Sequence, residues 1–171
     1  MRNIVTLALV SAALALLLFA YPSPQAQAAI VPTSTEKQVI DLVNAERTKR
    51  GLAPVRFQAY LTRGARAHSR DMANREKLTH TSANGDTVSR RLIRYGYTTS
   101  GYSSWSVGEN IARASSGSVG ATPHGIVAMW MASDAHRANI LRAKWRDVGV
   151  GVATSDGNRR YFTLDFGRRT R

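Results

Sequence analysis

Apolar positions along the chain fall into two rhythms, one near 3.6 residues and one of two. The first helical rhythm opens at Thr33-Ser34-Thr35-Glu36, a capping box directly after Pro32. Val39, Leu42, Val43 and Glu46 then share one face, and Gly51 stops the helix. Leu52 to Gln58 carries Pro54 and reads as a connector. A second helix is predicted over 59–77, with Leu61, Ala65, His68 and Met72 at helical spacing. Asn84-Gly85-Asp86 marks a turn, and a short helix from Val88 ends at Gly96. Thr98 to Val107, polar and aromatic, reads as a loop. Thr122-Pro123 starts another helix, with Ile126, Val127, Met129 and Trp130 as its buried side. Asp134 is placed to cap one further turn that carries His136 and Ile140.

The period then changes to two. Val148, Val150 and Val152 alternate with Gly149, Gly151 and Ala153, and Phe162, Leu164 and Phe166 alternate with Tyr161, Thr163 and Asp165. Ser155-Asp156-Gly157-Asn158 joins these two strands as a hairpin turn. The glycines strip one strand face of side chains, so another element is expected to pack closely there. Helices followed by antiparallel strands predict an α+β layered domain.

The N-terminus reads as an address. Arg2 precedes an apolar or small stretch from Ile4 to Ala20, and Ala26-Gln27-Ala28 offers a cleavage site. The expectation is a signal peptide over 1–28 and a single domain over 29–171, with an uncleaved N-terminal anchor as the alternative. Removing 28 of 171 residues leaves 143, enough to bury a core without disulfides. The chain has no cysteine, which excludes thiolate zinc sites, cysteine nucleophiles and a lipoprotein anchor. Its net charge is +13 at a pI near 11.2. That charge suits adhesion to a polyanion or, equally, a solvated surface from an arginine-rich genome. No basic stripe with interleaved aromatics marks a specific nucleic-acid module.

Three residues carry the candidate chemistry: His80, Glu109 in Gly108-Glu109-Asn110, and His136 in Ser133-Asp134-Ala135-His136. Imidazole and carboxylate are groups that hold zinc or move protons near neutral pH. From the residues alone, a shared site and separate structural hydrogen bonds both remain open. His68, on an apolar helix face, reads as a hydrogen-bonded core histidine, and His124 as an exposed residue of a first helical turn. Ser133 and His136 lack an identifiable oxyanion hole and make no case for a triad.

Taken in order, the segments resemble a known family. Asp41 to Arg47 (D-L-V-N-A-E-R), Ala67 to Ala73, His80-Thr81-Ser82, Gly108 to Ile111, Trp130 to Ser133, His136 to Leu141 and Leu164-Asp165-Phe166-Gly167 are similar to motifs of the CAP superfamily (cysteine-rich secretory proteins, antigen 5 and pathogenesis-related 1; SCP domains), in its cysteine-free bacterial secreted branch. The resemblance implies a three-layer α-β-α sandwich with a central, mostly antiparallel sheet. It asks for more strand than the local pattern shows, and the segments near Leu78 to Thr81 and Glu109 to Ala112 are where short strands would fit. It also implies a cleft of two histidines and two acidic residues, able to bind zinc or another divalent metal in some members. By motif these fall on His80, Glu109 and His136. The fourth position does not carry over, because Met131, Ala132 and Ser133 follow Trp130 where many eukaryotic members have an acid.

No general enzymatic reaction is implied for the family. The first functional expectation is a secreted, extracellular binding module, associated with the cell envelope and monomeric. Its partners would be wall polymers, lipids or extracellular proteins, with zinc or another divalent metal as the candidate cofactor. A zinc-dependent extracellular hydrolase or peptidase, with Asp165 or His68 as base, is one alternative. A purely electrostatic envelope-associated interaction protein is the other.

Overall fold

The computed structural model describes residues 30–171. The expected N-terminal address over 1–28 lies outside the described residues. Five helices and four strands follow in the order α1 (Ser34–Thr48), β1 (Arg56–Phe57), α2 (Ala59–Asn74), α3 (Val88–Arg94), β2 (Ser104–Ser115), α4 (Pro123–Ala132), α5 (Asp134–Ile140), β3 (Asp147–Thr154) and β4 (Arg159–Thr170), with a single 3-10 turn at Val119–Ala121 before α4.

The strands form one sheet in the order β1-β3-β4-β2. β3 pairs antiparallel with β4 and β4 with β2, whereas β1 adds two residues in parallel to β3. Alternation then divides the side chains between two helical layers. Phe162, Leu164 and Phe166 of β4, with Val148 and Val150 of β3, join Val39, Ile40 and Val43 of α1, Ile126, Val127 and Trp130 of α4, and Ile140 of α5. The opposite face carries two smaller clusters: Met72 and Ala73 against Ile111 and Tyr161, and Leu61 and Leu92 against Tyr97. The result is the α-β-α sandwich that the family motifs imply.

Local chemistry sets the element ends. Thr33 and Glu36 make both bonds of the capping box. Gln58 caps α2 by accepting from the Tyr60 and Leu61 amides at 2.6 and 3.2 Å. α2 stops at Asn74, three residues short of the predicted Lys77, because Glu76 takes a positive φ of 49°. Its carboxylate there accepts the Gly157 amide at 2.8 Å and ties the helix end to the β3–β4 hairpin.

Two residues of one family segment, Asp41 to Arg47, turn out to be braces. Asn44 bonds both backbone groups of Val55, at 2.8 and 3.0 Å. Arg47 is fully buried and donates to the carbonyls of Ala53, Ile140 and Arg142, joining the end of α1 to the end of α5.

Several local expectations change. Thr98 to Val107 is not wholly loop, since β2 begins at Ser104 and runs twelve residues through Glu109. Leu78 to Thr81 contains no strand. Arg56 and Phe57, expected in a connector, form β1 because the Arg56 and Gln58 amides on either side of Phe57 donate to the Arg146 and Val148 carbonyls. Met129 is exposed rather than buried, whereas Trp130 is fully buried and its indole donates to the Ile111 carbonyl at 3.2 Å. Asp134 does not cap α5. Ser133 stands at the N-cap, and Asp134 pairs with Arg137.

The bare glycine face of β3 receives α2, as its pattern suggests. A Cβ at Gly149 would collide with the backbone of Leu61 and Thr62, and one at Gly151 with that of Ala65 and Arg66. Backbone cannot yield as a flexible side chain does. Gly151→Ala is therefore expected to cost about 3 kcal/mol through overpacking. Urea unfolding should show a lower midpoint at unchanged m-value; a wild-type midpoint would contradict the close approach.

Candidate functional site

The Gly108-Glu109-Asn110 segment is read by alternation across β2, an edge strand of the sheet. Gly108 lets β2 lie against α5 and the segment that follows it: a Cβ there would come within 2.8 Å of the Asn139 amide oxygen and of the Trp145 ring. Glu109 points to the opposite face, under α2 and α3. Asn110 returns to the α5 side, donating to the His136 carbonyl at 3.0 Å and accepting from Asn139 at 3.0 Å. One tripeptide thus positions groups on both faces.

The Glu109 side chain is 1% exposed and both of its oxygens are engaged. Oε1 lies 2.7 Å from His80 Nδ1, and Oε2 is bound by the Arg91 guanidinium. Arg91, 2% exposed, also donates to the His80 carbonyl at 3.2 Å and the Ser82 hydroxyl at 3.0 Å. It therefore fixes the loop that carries His80 as well as the carboxylate that His80 meets.

His68 lies beneath this group, fully buried, with Nε2 at 2.8 Å from the Thr79 carbonyl and 3.9 Å from Glu109 Oε2. That is the structural role its apolar face suggested. Asp165 is opposite Glu109 in the β2–β4 register and fully buried, and among the described residues no donor reaches either of its oxygens. Burial and then the Glu109 charge push its carboxyl well above the ordinary range.

His136 comes from α5, on the other side of the edge strand. Its Nδ1 is 2.9 Å from the Ser133 hydroxyl. It makes no hydrogen bond to His80 or Glu109 among the described residues, yet it lies near enough for the charge of His80 to lower its pKa. The site therefore joins His80 and Glu109 directly and sets His136 beside them. No group of three or more His, Asp or Glu side chains among the described residues converges as a metal cage. His124 is exposed on α4 and takes no part.

Sequence reasoning passed over Arg91 and Asn110. Arg91 had a readable signal, standing at i+3 from Val88 and beside Leu92, so a cation falls on the apolar face of a short helix. Asn110 had none without the strand, because its role depends on pointing away from Glu109.

The family model for the cysteine-rich secretory protein family (CAP) matches residues 40–166. The chain belongs to this family. Among curated proteins it is 36% identical over 120 residues to YkwD of Bacillus subtilis (strain 168), covering 70% of this chain and 43% of that protein. It is 31% identical over 140 residues to YlbC, a membrane protein of the same organism, covering 81% of this chain and 36% of that one. The chain thus spans less than half the length of these relatives. An extracellular SCP-domain protein from Bacillus anthracis superposes with a TM-score of 0.62 at 28% identity, over 78% of this chain and 40% of that chain. An outer surface protein from Borrelia burgdorferi shares the fold, with a TM-score of 0.65 at 20% identity over 78% of this chain and 92% of that one. Structural neighbours of this chain are thus described as extracellular or outer-surface proteins. No described helix of the chain is long and apolar enough to cross a membrane.

The imidazoles of this CAP domain should titrate apart. The hydrogen bond to Glu109 raises the pKa of His80, against the opposing effect of burial. Burial lowers the pKa of His68 and of His136, and for His136 the His80 charge adds to it. The His80 pair contributes stability fully below about pH 6.5, lost as pH rises through its raised value. His68 and His136 have the opposite sign: their contribution is present above about pH 6.5 and lost as pH falls through their lowered values. NMR titration should find His80 last to deprotonate as pH rises, and His80→Gln should raise the His136 value. Coincident titration curves would contradict this arrangement.

Asp165 supplies a second check. Its raised pKa means its contribution is greatest below about pH 3.9 and declines as pH rises. Asp165→Asn keeps the shape and removes that decline. Its Tm should exceed wild type at pH 7.5, with the gap narrowing toward pH 4; a lower Tm at pH 7.5 would assign Asp165 a stabilising charge.

Proposed function

We propose that the chain is a secreted binding module, held near the cell envelope by its cationic surface, with a ligand cleft at His80 and His136. The observation that carries this reading is the commitment of the site's carboxylates. Glu109 is taken up by Arg91 and His80, and Asp165 is sealed under α2. A hydrolase needs a base that can reach substrate. Asp165 and His68, the two candidates, are both fully buried. Binding through the imidazoles fits the site better than hydrolysis.

The donor set also suits a metal in a limited way. In each imidazole Nδ1 already has a partner, Glu109 for His80 and Ser133 for His136, and each Nε2 remains available. This is how proteins orient zinc-binding histidines, the partner of the second ring nitrogen fixing the tautomer. His80 and His136 would hold a zinc ion, with Glu109 behind His80 as orienting carboxylate. Such an ion supplies a Lewis-acidic point for a ligand's oxygen.

Calorimetry with zinc tests the cleft. One equivalent should bind the purified protein, with binding lost in His80→Ala and in His136→Ala, and weakened by about 10- to 100-fold in Glu109→Gln. Wild-type affinity in both alanine variants would sink the cleft reading.

A further inference from the structure

Carboxylates answer many of the cations along the helices. Lys37 pairs with Asp41, Arg50 with Glu46, Arg66 with Glu36, Arg75 with Asp71, Arg94 with Asp86 and Arg137 with Asp134. The end of the sheet where β3 begins and β4 finishes differs. Register places Arg168 beside Ser106, Arg169 beside Trp105 and Arg56 beside Asp147, while the Arg146 amide bonds the Gly167 carbonyl. Arg142 and Lys144 lie over the Trp145 ring, which stacks on Phe166 at the same end. Arg171 completes the group. Of these seven cations only Arg56 has a carboxylate in ion-pair reach among the described residues, Asp147 at 3.9 Å. Asp147 already accepts the Tyr97 hydroxyl at 2.9 Å.

Aromatic rings hold four of these cations instead. The Arg169 guanidinium lies 4.3 Å from the centre of Tyr97 and 4.4 Å from that of Tyr102, with Arg171 5.9 Å from Tyr102. Lys144 is 4.7 Å and Arg142 5.8 Å from Trp145. A ring face orients a cation without cancelling its charge, and leaves the guanidinium edge free to donate. Unneutralised charge held in place repels itself until an anion arrives.

The kind of anion follows from what is missing at this end. Cations already stand over Tyr97, Tyr102 and Trp145, so those faces are not open for stacking on bases, the usual device for single-stranded nucleic acid. The exposed large apolar side chain in this register is Phe57, beside Arg56. One ring is a poor wedge for a bilayer, where binding scales with buried apolar area. We infer that this basic end of the sheet docks a linear polyol-phosphate polymer, a phosphodiester chain with neither bases nor acyl tails. The inference deepens the envelope part of the function proposed above and does not depend on the cleft.

Fluorescence anisotropy with a labelled poly(glycerol phosphate) of about ten units tests it, read between about 50 and 200 mM salt. Arg142→Glu/Arg168→Glu/Arg171→Glu should weaken binding by at least tenfold and reduce the salt slope by roughly two to three. Arg70→Glu/Lys77→Glu/Arg90→Glu makes the same change in net charge elsewhere and should cost less than about threefold. Equal losses in the two triple variants would overturn the inference in favour of diffuse charge, as would no binding by wild type. Tighter binding to single-stranded DNA of equal phosphate number, or to phosphatidylglycerol vesicles, would overturn it in favour of that partner. Thermal melts check both variants; should the first fail to fold, Arg171→Glu against Arg70→Glu repeats the comparison one charge at a time. Zinc binding by the first triple should stay at the wild-type level, so failure of the docking surface and failure of the cleft are distinguishable.

Discussion

Glu109 and Asp165 lie opposite each other on neighbouring strands, both removed from water beneath α2. Two ionised carboxylates cannot be buried side by side without compensation. The compensation is divided. Arg91 and His80 engage Glu109, while Asp165 is pushed toward its neutral acid. Arg91 must therefore be buried itself, which fixes α3, and its Nη1 reaches back to the His80 loop. The position of His80 is thus a consequence of charge compensation inside the domain.

The sheet supplies the second constraint. Because side chains alternate along β2, Glu109 and Asn110 reach opposite layers, and the histidines they position arrive from opposite sides of an edge strand. A slip of one residue in the β2–β4 register would exchange the two faces and dismantle both halves of the site at once. The long register from Ser104↔Thr170 to Ser115↔Arg159 is what holds the geometry.

Much of this was legible before the structure. The helix starts at Thr33 and Thr122, the hairpin at Ser155 to Asn158 and the bare face of β3 follow from local rules of capping, turn chemistry and alternation. The family motifs pointed to the sandwich and to His80, Glu109 and His136. β2 was largely hidden, because it is partly exposed at its start and its residues near Glu109 serve two layers, so no simple alternation of apolar and polar marks it. β1 was hidden because two residues paired to a distant strand leave no periodic trace. Arg47 shows the limit most plainly: within an apparently surface-like Asn-Ala-Glu-Arg run, it is a core residue whose three acceptors come from other segments.

The close seat of α2 on the glycine face has a mechanical consequence. Backbone packed on backbone gives the helix no soft side-chain layer through which to tilt, so α2, β3 and β4 move as one body, carrying His68 and Asp165 with them. The loop between Arg75 and Thr87, which bears His80, is held to that body by side chains instead: Arg75 and Arg91 donate to the Thr81 and His80 carbonyls, and Asp71 accepts the Ala83 amide. His80 thus rests on a stiff floor and owes its place to side-chain bonds, so any adjustment around it falls to the loop and not to the sheet.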